Sequence, residues 1–317
     1  MARNAMPSSN QGWFLVAIAA LGLGVLSAHA NAACSINQSA ELKVTMKGMT
    51  PVISALVNGK EMKFALDTSS FYNIISGPAA ATAGLHLMPA PAWVVGKNAD
   101  GNSPLSVSAA DDFVLSGMRV KNLEFLAGGN DSGSGTDGIL GLSLFHDYDM
   151  EYDLAHGVIR LMHAKGCGDA ALAYWTTANQ PYSMIDLSPA QPFVTGFAQL
   201  NGTQMRVLFD TGANASRISP QAAKQAGLTT NPSQLSDAGY SRGMGRPAVL
   251  TRLAPFSSFK VGDEEIRNPQ LRVGDTRDGT DMLLGADFFV SHRIYVSNAQ
   301  HKMYITYNGG PVFSAAQ

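Results

Sequence analysis

The chain has 317 residues, a formal net charge of −2 from 22 Lys+Arg against 24 Asp+Glu, 45% hydrophobic residues and two cysteines. That near-neutral balance excludes the electrostatic footprint of a nucleic-acid or anionic-membrane binder, and the length suits two domains that each bury their own core. Seven scattered histidines, with neither His-Glu-x-x-His nor Cys-x-x-Cys, give no support to a zinc site, so no metal and no cofactor are expected.

At the N-terminus, Arg3 and a polar stretch precede the apolar run Trp13 to Leu26, and AHANAAC follows with A-x-A cleavage options. Residues 1–32 read as a secretory signal peptide, with an uncleaved anchor as the alternative. No other segment approaches the length of a membrane span, so the mature protein is expected to be soluble, exported, and periplasmic or secreted. An oxidising compartment predicts that Cys34 and Cys167 pair, stapling the N-terminal segment to the end of a first lobe, 33–165. Strands are expected there at 42–46, 52–57, 63–66, 93–95, 103–109, 113–115, 123–126 and 158–162, with Asn58-Gly59, Asp100-Gly101 and His156-Gly157 turning the chain. Residues 166–190 read as a connector, with Tyr174 and Trp175 expected at the lobe junction. A second lobe, 191–317, carries expected strands at 193–200, 205–209, 249–253, 257–261, 270–273 and 293–296. Helices are brief. Ser219-Pro220 followed by QAAKQAGL offers an N-cap, a first-turn proline and a closing glycine, and the stretch from Gly77-Pro78 to Gly84 is its twin. Two further short helices are expected at 142–148 and 286–292.

The two lobes repeat each other. Asn58-Gly59 matches Asn201-Gly202, Asp67-Thr68 matches Asp210-Thr211, and Ala83-Gly84-Leu85 matches Ala226-Gly227-Leu228, all 143 residues apart; DGILGLSLF at 137–145 answers DMLLGADFF at 281–289. A third Asp-Thr, Asp275-Thr276, lacks this context. An aspartate ending an apolar strand and followed by small residues lies beside backbone N–H donors in a crevice of low dielectric. Two such groups brought face to face cannot both ionise easily, so the pair holds one proton over a range of acidic pH. In that state it takes a proton from water while giving one to a carbonyl oxygen, which is what amide hydrolysis needs.

These residues resemble the aspartic proteases, in the two-lobed pepsin arrangement but with lobes similar to the retropepsin module, and GILGLSLFHDYDMEYDLAHGVIRL resembles bacterial exported retropepsin-like proteins. The resemblance covers about 50–165 and 192–307. It implies an all-β, two-lobed acid-protease fold, each lobe a retropepsin-like β-barrel with one or two short helices, related by a pseudo-two-fold. It also implies catalytic Asp67 and Asp210, with Thr68 and Thr211 cross-bonding their loops and Ser69, Ser70, Gly212 and Ala213 completing them. Ile139-Leu140-Gly141 and Leu283-Leu284-Gly285 match the family's hydrophobic-hydrophobic-Gly motif, whose glycines permit close backbone approach. A β-hairpin flap over the dyad is implied, with 94–107 and 238–249 as candidates.

Lobe 2 keeps the family pattern in DTGANASRI, whereas lobe 1 has Ser69 for the usual Gly and Asn73 for the usual Ser or Thr. Ser70 is placed to hydrogen-bond Asp67 while Ala213 offers Asp210 nothing, so Asp210 is expected to hold the shared proton. The implied function is a monomeric aspartic endopeptidase acting on a peptide or protein substrate. The alternative, motivated by Ser69 and Asn73, is a protease-fold protein that binds peptides or a partner in the cleft without cleaving them; lobes pairing between two molecules are a third arrangement. Gly239-Tyr240-Ser241-Arg242-Gly243 has the form of a nucleophile elbow, with Asp287 and His292 after it, but the glycines and proline that come next forbid the required helix. Gly133 to Gly138 fits G-x-G-x-x-G without a leading strand, and Asn214-Ala215-Ser216 is a sequon in form only.

Overall fold

The computed structural model describes residues 33–91, 105–128, 135–177, 181–189, 192–231, 235–241, 248–276 and 279–313. The expected signal peptide and the expected strand 93–95 lie outside them. The protein is all-β, with 52% of the described residues in strands and 9% in helices, and has two lobes. Each lobe begins with a hairpin, Thr50–Val57 with Lys60–Leu66 and Thr195–Leu200 with Thr203–Phe209. Asn58 (φ 47°) and Gly59 (φ 77°), like Asn201 (φ 50°) and Gly202 (φ 76°), take the positive φ that a two-residue hairpin turn requires. The asparagines also tie each hairpin to the helix of its own lobe, since Asn58 Nδ2 donates to Ala83 O at 3.2 Å and Asn201 Nδ2 to Ala226 O at 2.9 Å. Those carbonyls end the helices Gly77–Thr82 and Pro220–Gln225, whose N-caps Ser76 and Ser219 accept from Ala79 N and Ala222 N.

In lobe 1 the strands Thr50–Val57, Lys60–Leu66, Gly138–Leu140, Ile74–Ile75, Met118–Ala127 and Ser106–Leu115 succeed one another around a barrel. It closes where Leu56 pairs with Val114 and Val57 with Phe113. Phe64 fills it, its ring 6.3 Å from Phe113 and 6.0 Å from Phe125. The strands expected at 103–109 and 113–115 differ from those in the structure. They are one, since Asp112 faces Lys121 across the hairpin and binds it at 2.9 Å. Lobe 2 arranges its strands in the same order but as a curled half-barrel sheet.

A six-stranded sheet joins the lobes, ordered Ser35–Lys43, Val158–Lys165, Asp149–Asp153, His292–Ser297, Lys302–Tyr307 and Ser183–Asp186. Its central pair, Asp149–Asp153 against His292–Ser297, crosses from one repeat to the other. The structure departs from the sequence expectation in this sheet. The expected helix 142–148 is only a 3-10 turn, Leu142–Leu144, and the acidic DMEYD after it is a fully buried strand. Its charges are matched from both repeats: Glu151, 0% exposed, receives Arg160 Nη1 at 2.6 Å and Arg293 Nη2 at 2.7 Å. Within the expected connector, Ser183–Asp186 is a strand, and Tyr174 Oη donates to Glu151 Oε2 at the junction. Trp175 Nε1 donates to Thr306 Oγ1 at 2.9 Å under the Arg293 guanidinium. Cys34 and Cys167 form a disulfide just beyond the Ser35–Lys165 rung of this sheet. Among the described residues no helix is long and apolar enough to cross a membrane.

Candidate active site

Each repeat delivers its aspartate by the same construction. Lys60–Leu66 runs parallel to Gly138–Leu140 and Thr203–Phe209 parallel to Met282–Leu284. One residue past the strand ends, Asp67 N donates to Leu140 O at 3.1 Å and Asp210 N to Leu284 O at 2.8 Å. The chain then turns so tightly against the motif that Gly141 and Gly285 are required: a Cβ on Gly141 would lie 2.5 Å from Tyr72 O, and one on Gly285 2.7 Å from Ala213 O.

The two loops are tied across the lobe interface by four hydrogen bonds. Thr68 Oγ1 donates to Phe209 O at 2.7 Å and accepts from Thr211 N at 3.0 Å; Thr211 Oγ1 donates to Leu66 O at 2.8 Å and accepts from Thr68 N at 3.1 Å. Both threonines are fully buried, so these bonds are made away from water. They bring Asp67 and Asp210 within hydrogen-bonding reach of each other. Burial and the adjoining Asp67 charge push the Asp210 carboxyl up to about 7, against opposing donors on Ser69 and Gly212.

Each carboxylate is held by its own loop. Gly212 N donates to Asp210 Oδ1 at 2.9 Å and Ser69 N to Asp67 Oδ1 at 2.7 Å. The expected role of Ser70 is corrected: its hydroxyl turns back to Tyr72 O at 2.8 Å, and it is Ser69 Oγ that donates to Asp67 Oδ1, at 2.8 Å, and also reaches Asp210. A side chain one residue nearer the aspartate points into the dyad. Asn73 performs the service of the serine it replaces, since its Oδ1 accepts from Gly141 N at 3.1 Å, as Ser216 Oγ accepts from Gly285 N at 3.0 Å. Ser216 Oγ donates in turn to buried Asp287 at 2.6 Å, where Asn73 Nδ2 donates to Glu124 O. In sequence Asp287 stands only in the discounted elbow, and nothing there marks it as the partner of Ser216. His292 of that set is buried elsewhere, 3.0 Å from Glu264.

The remaining expectations divide. Ile139, Leu140, Leu283 and Leu284 are buried in the strands flanking the two aspartates. Most of the candidate flap 94–107 lies outside the described residues. Of 238–249, the described parts belong to paired strands, Ser236–Ser241 and Val249–Pro255. Among the described residues no cluster of His, Cys, Asp or Glu is arranged to hold a metal.

Paired aspartates carried on cross-bonded loops of two like lobes define a retropepsin-like two-lobed protein. The chain belongs to the aspartyl protease family, whose profile matches residues 53–144 and 198–288, one copy in each lobe. No curated protein matches the sequence significantly. Among solved structures it is similar to a retropepsin-like aspartic protease from Rickettsia conorii, at 19% identity and a TM-score of 0.30, over 41% of this chain and 94% of that one.

Proposed function

We propose that the protein is an exported, monomeric aspartic endopeptidase whose dyad, Asp67 and Asp210, is completed within one chain. The observation that carries this reading is the geometry of the pair: Asp67 and Asp210 sit on cross-bonded loops of two lobes, the Asp210 carboxyl is raised by burial and by the Asp67 charge, and Ser69 supplies Asp67 with two donors. With one proton on the pair, a water attacks the peptide carbonyl carbon while Asp67 accepts the water's proton and Asp210 gives its own to the carbonyl oxygen. Collapse of the tetrahedral intermediate breaks the C–N bond. The amine leaves with a proton returned from Asp67, and Asp210 regains one from the intermediate's hydroxyl, which restores the starting state. Neither a covalent intermediate nor a metal enters these steps.

A specific observation favours the second reading, a peptide-binding protein that does not cleave. Ser69 Oγ hydrogen-bonds both carboxylates, as the attacking water must. The two are separated by incubating the purified protein with a diverse peptide mixture below pH 7 and tracking products by mass spectrometry beside Asp210→Ala. Endopeptidase activity predicts new termini in the wild type and none in the variant. A folded wild type that releases no product, or a variant that cleaves equally, overturns it.

A further inference from the structure

The strands beside the motif carry a feature that peptide hydrolysis leaves unused. In lobe 2, Arg217 pairs with Arg272 on one side and with Leu283 on the other. Their neighbours Ile218, Leu271, Val273, Met282 and Leu284 belong to the hydrophobic core. By the two-residue period of a strand, Arg217, Arg272 and Leu283 share the opposite face. That is the face of Asp210, one of the two carboxylates whose charge acts on Arg217.

Lobe 1 builds the same wall without charge. Ile74 pairs with Leu126 on one side and Ile139 on the other, in the same parallel and antiparallel senses. Ile74 and Leu126 are half-buried, as are Arg217 and Arg272. Two arginines are therefore not what this part of the fold requires. They also come at a cost. Burial opposes the charge on Arg217, and Arg272 beside it opposes it further. Among the described residues the Nε atoms of both are buried without a hydrogen-bond partner. Among the described residues Arg272 Nη1 reaches only Ala238 O, Asp275 is exposed, and burial beside Asp67 raises the Asp210 carboxyl and so disfavours its charged form. An anion arriving from the cleft would satisfy the unpaired donors and separate the like charges, and a carboxylate matches the planar fork of a guanidinium.

We propose that Arg217 and Arg272 form a carboxylate-binding subsite in the lobe 2 wall, opposite an apolar subsite formed by Ile74, Leu126 and Ile139 in lobe 1. The substrate class is then peptides with an acidic side chain on the lobe 2 side of the cleft and an apolar one on the lobe 1 side. This rests on the endopeptidase reading for turnover but not for binding, and the test uses that separation.

Two randomised octapeptide libraries, one with a fixed glutamate and one with glutamine in its place, are offered to the full protein at about pH 6, where glutamate is ionised. The glutamate library is expected to be cleaved with a kcat/KM roughly tenfold higher or more, the size of one charge-assisted pair. Arg217→Ile, which installs the lobe 1 residue, and Arg272→Leu are each expected to bring that ratio close to one. A wild-type ratio near one, or a ratio that survives both substitutions in folded protein, overturns the subsite. If neither library is cleaved, the endopeptidase reading fails separately, and the subsite is judged by fluorescence anisotropy of the labelled libraries. Tighter binding of the glutamate library, lost in Arg217→Ile, supports it, and equal binding overturns it.

Discussion

At position 69 lobe 1 carries a serine where lobe 2 has Gly212, and the two environments explain why the exchange is tolerated in one direction only. A Cβ on Gly212 would fall 2.4 Å from Asp67 Cγ, so that position admits no side chain without displacing the carboxylate. Ser69 instead spends its hydroxyl on Asp67 Oδ1 at 2.8 Å and on Asp210. Its bond to Asp210 favours the ionised carboxylate and so lowers the pH at which the shared proton is lost. Removing the hydroxyl has the opposite sign. In Ser69→Gly the alkaline limb of the cleavage profile moves upward from about 7. Turnover also rises, because the space beside both carboxylates is opened to water. A pH–rate series on wild type and variant checks both; an alkaline limb that moves down contradicts the assignment.

At the scale of elements, the Asn-Gly hairpins, the Ser-Pro helix starts and the two Asp-Thr loops were legible because each depends on a few adjacent residues whose backbone demands are specific. Less legible was what pairs across the chain. Asn73 reads in sequence as a departure from the family pattern, yet its amide oxygen reaches Gly141 N at 3.1 Å and does what Ser216 does for Gly285. Only the fold shows that an amide longer than a hydroxymethyl meets the same donor. Asn73→Ala would leave the Gly141 N–H buried and unpaired, and is expected to lower stability by about 1–3 kcal/mol. Urea unfolding measures this, and a change near zero would mean the bond carries no weight. The strand DMEYD is hard to read for a related reason: three acidic residues in five argue against burial until the arginines and the tyrosine that meet them are placed beside it.

On the scale of the whole molecule, one repeat supplies half a site, and the joining sheet together with the threonine cross-bonds makes the halves one. Glu151 is central to that sheet, fully buried and shared by Arg160 from its own repeat and Arg293 from the other. Glu151→Gln removes the charge but keeps the shape, taking the carboxylate from Arg293 and leaving Arg160 to Glu41 and Asp153. The expected loss is about 3 kcal/mol or more, and it falls on the junction between the repeats. Hydrogen exchange across residues 149–153 and 292–297 is the readout, with faster exchange expected there; unchanged protection would show that the ion pair is dispensable. The proposed hydrolysis depends on two carboxylates from two lobes sharing one proton held at Asp210. Carbon-detected NMR titration of the aspartate side chains, in the wild type and in Asp67→Asn, tests this most directly. Asp210 is predicted to titrate near 7, well above 3.8, and to fall in Asp67→Asn as the neighbouring charge is removed, remaining raised by burial. An Asp210 that titrates at or below 3.8, or that does not respond to Asp67→Asn, would contradict a shared proton held there.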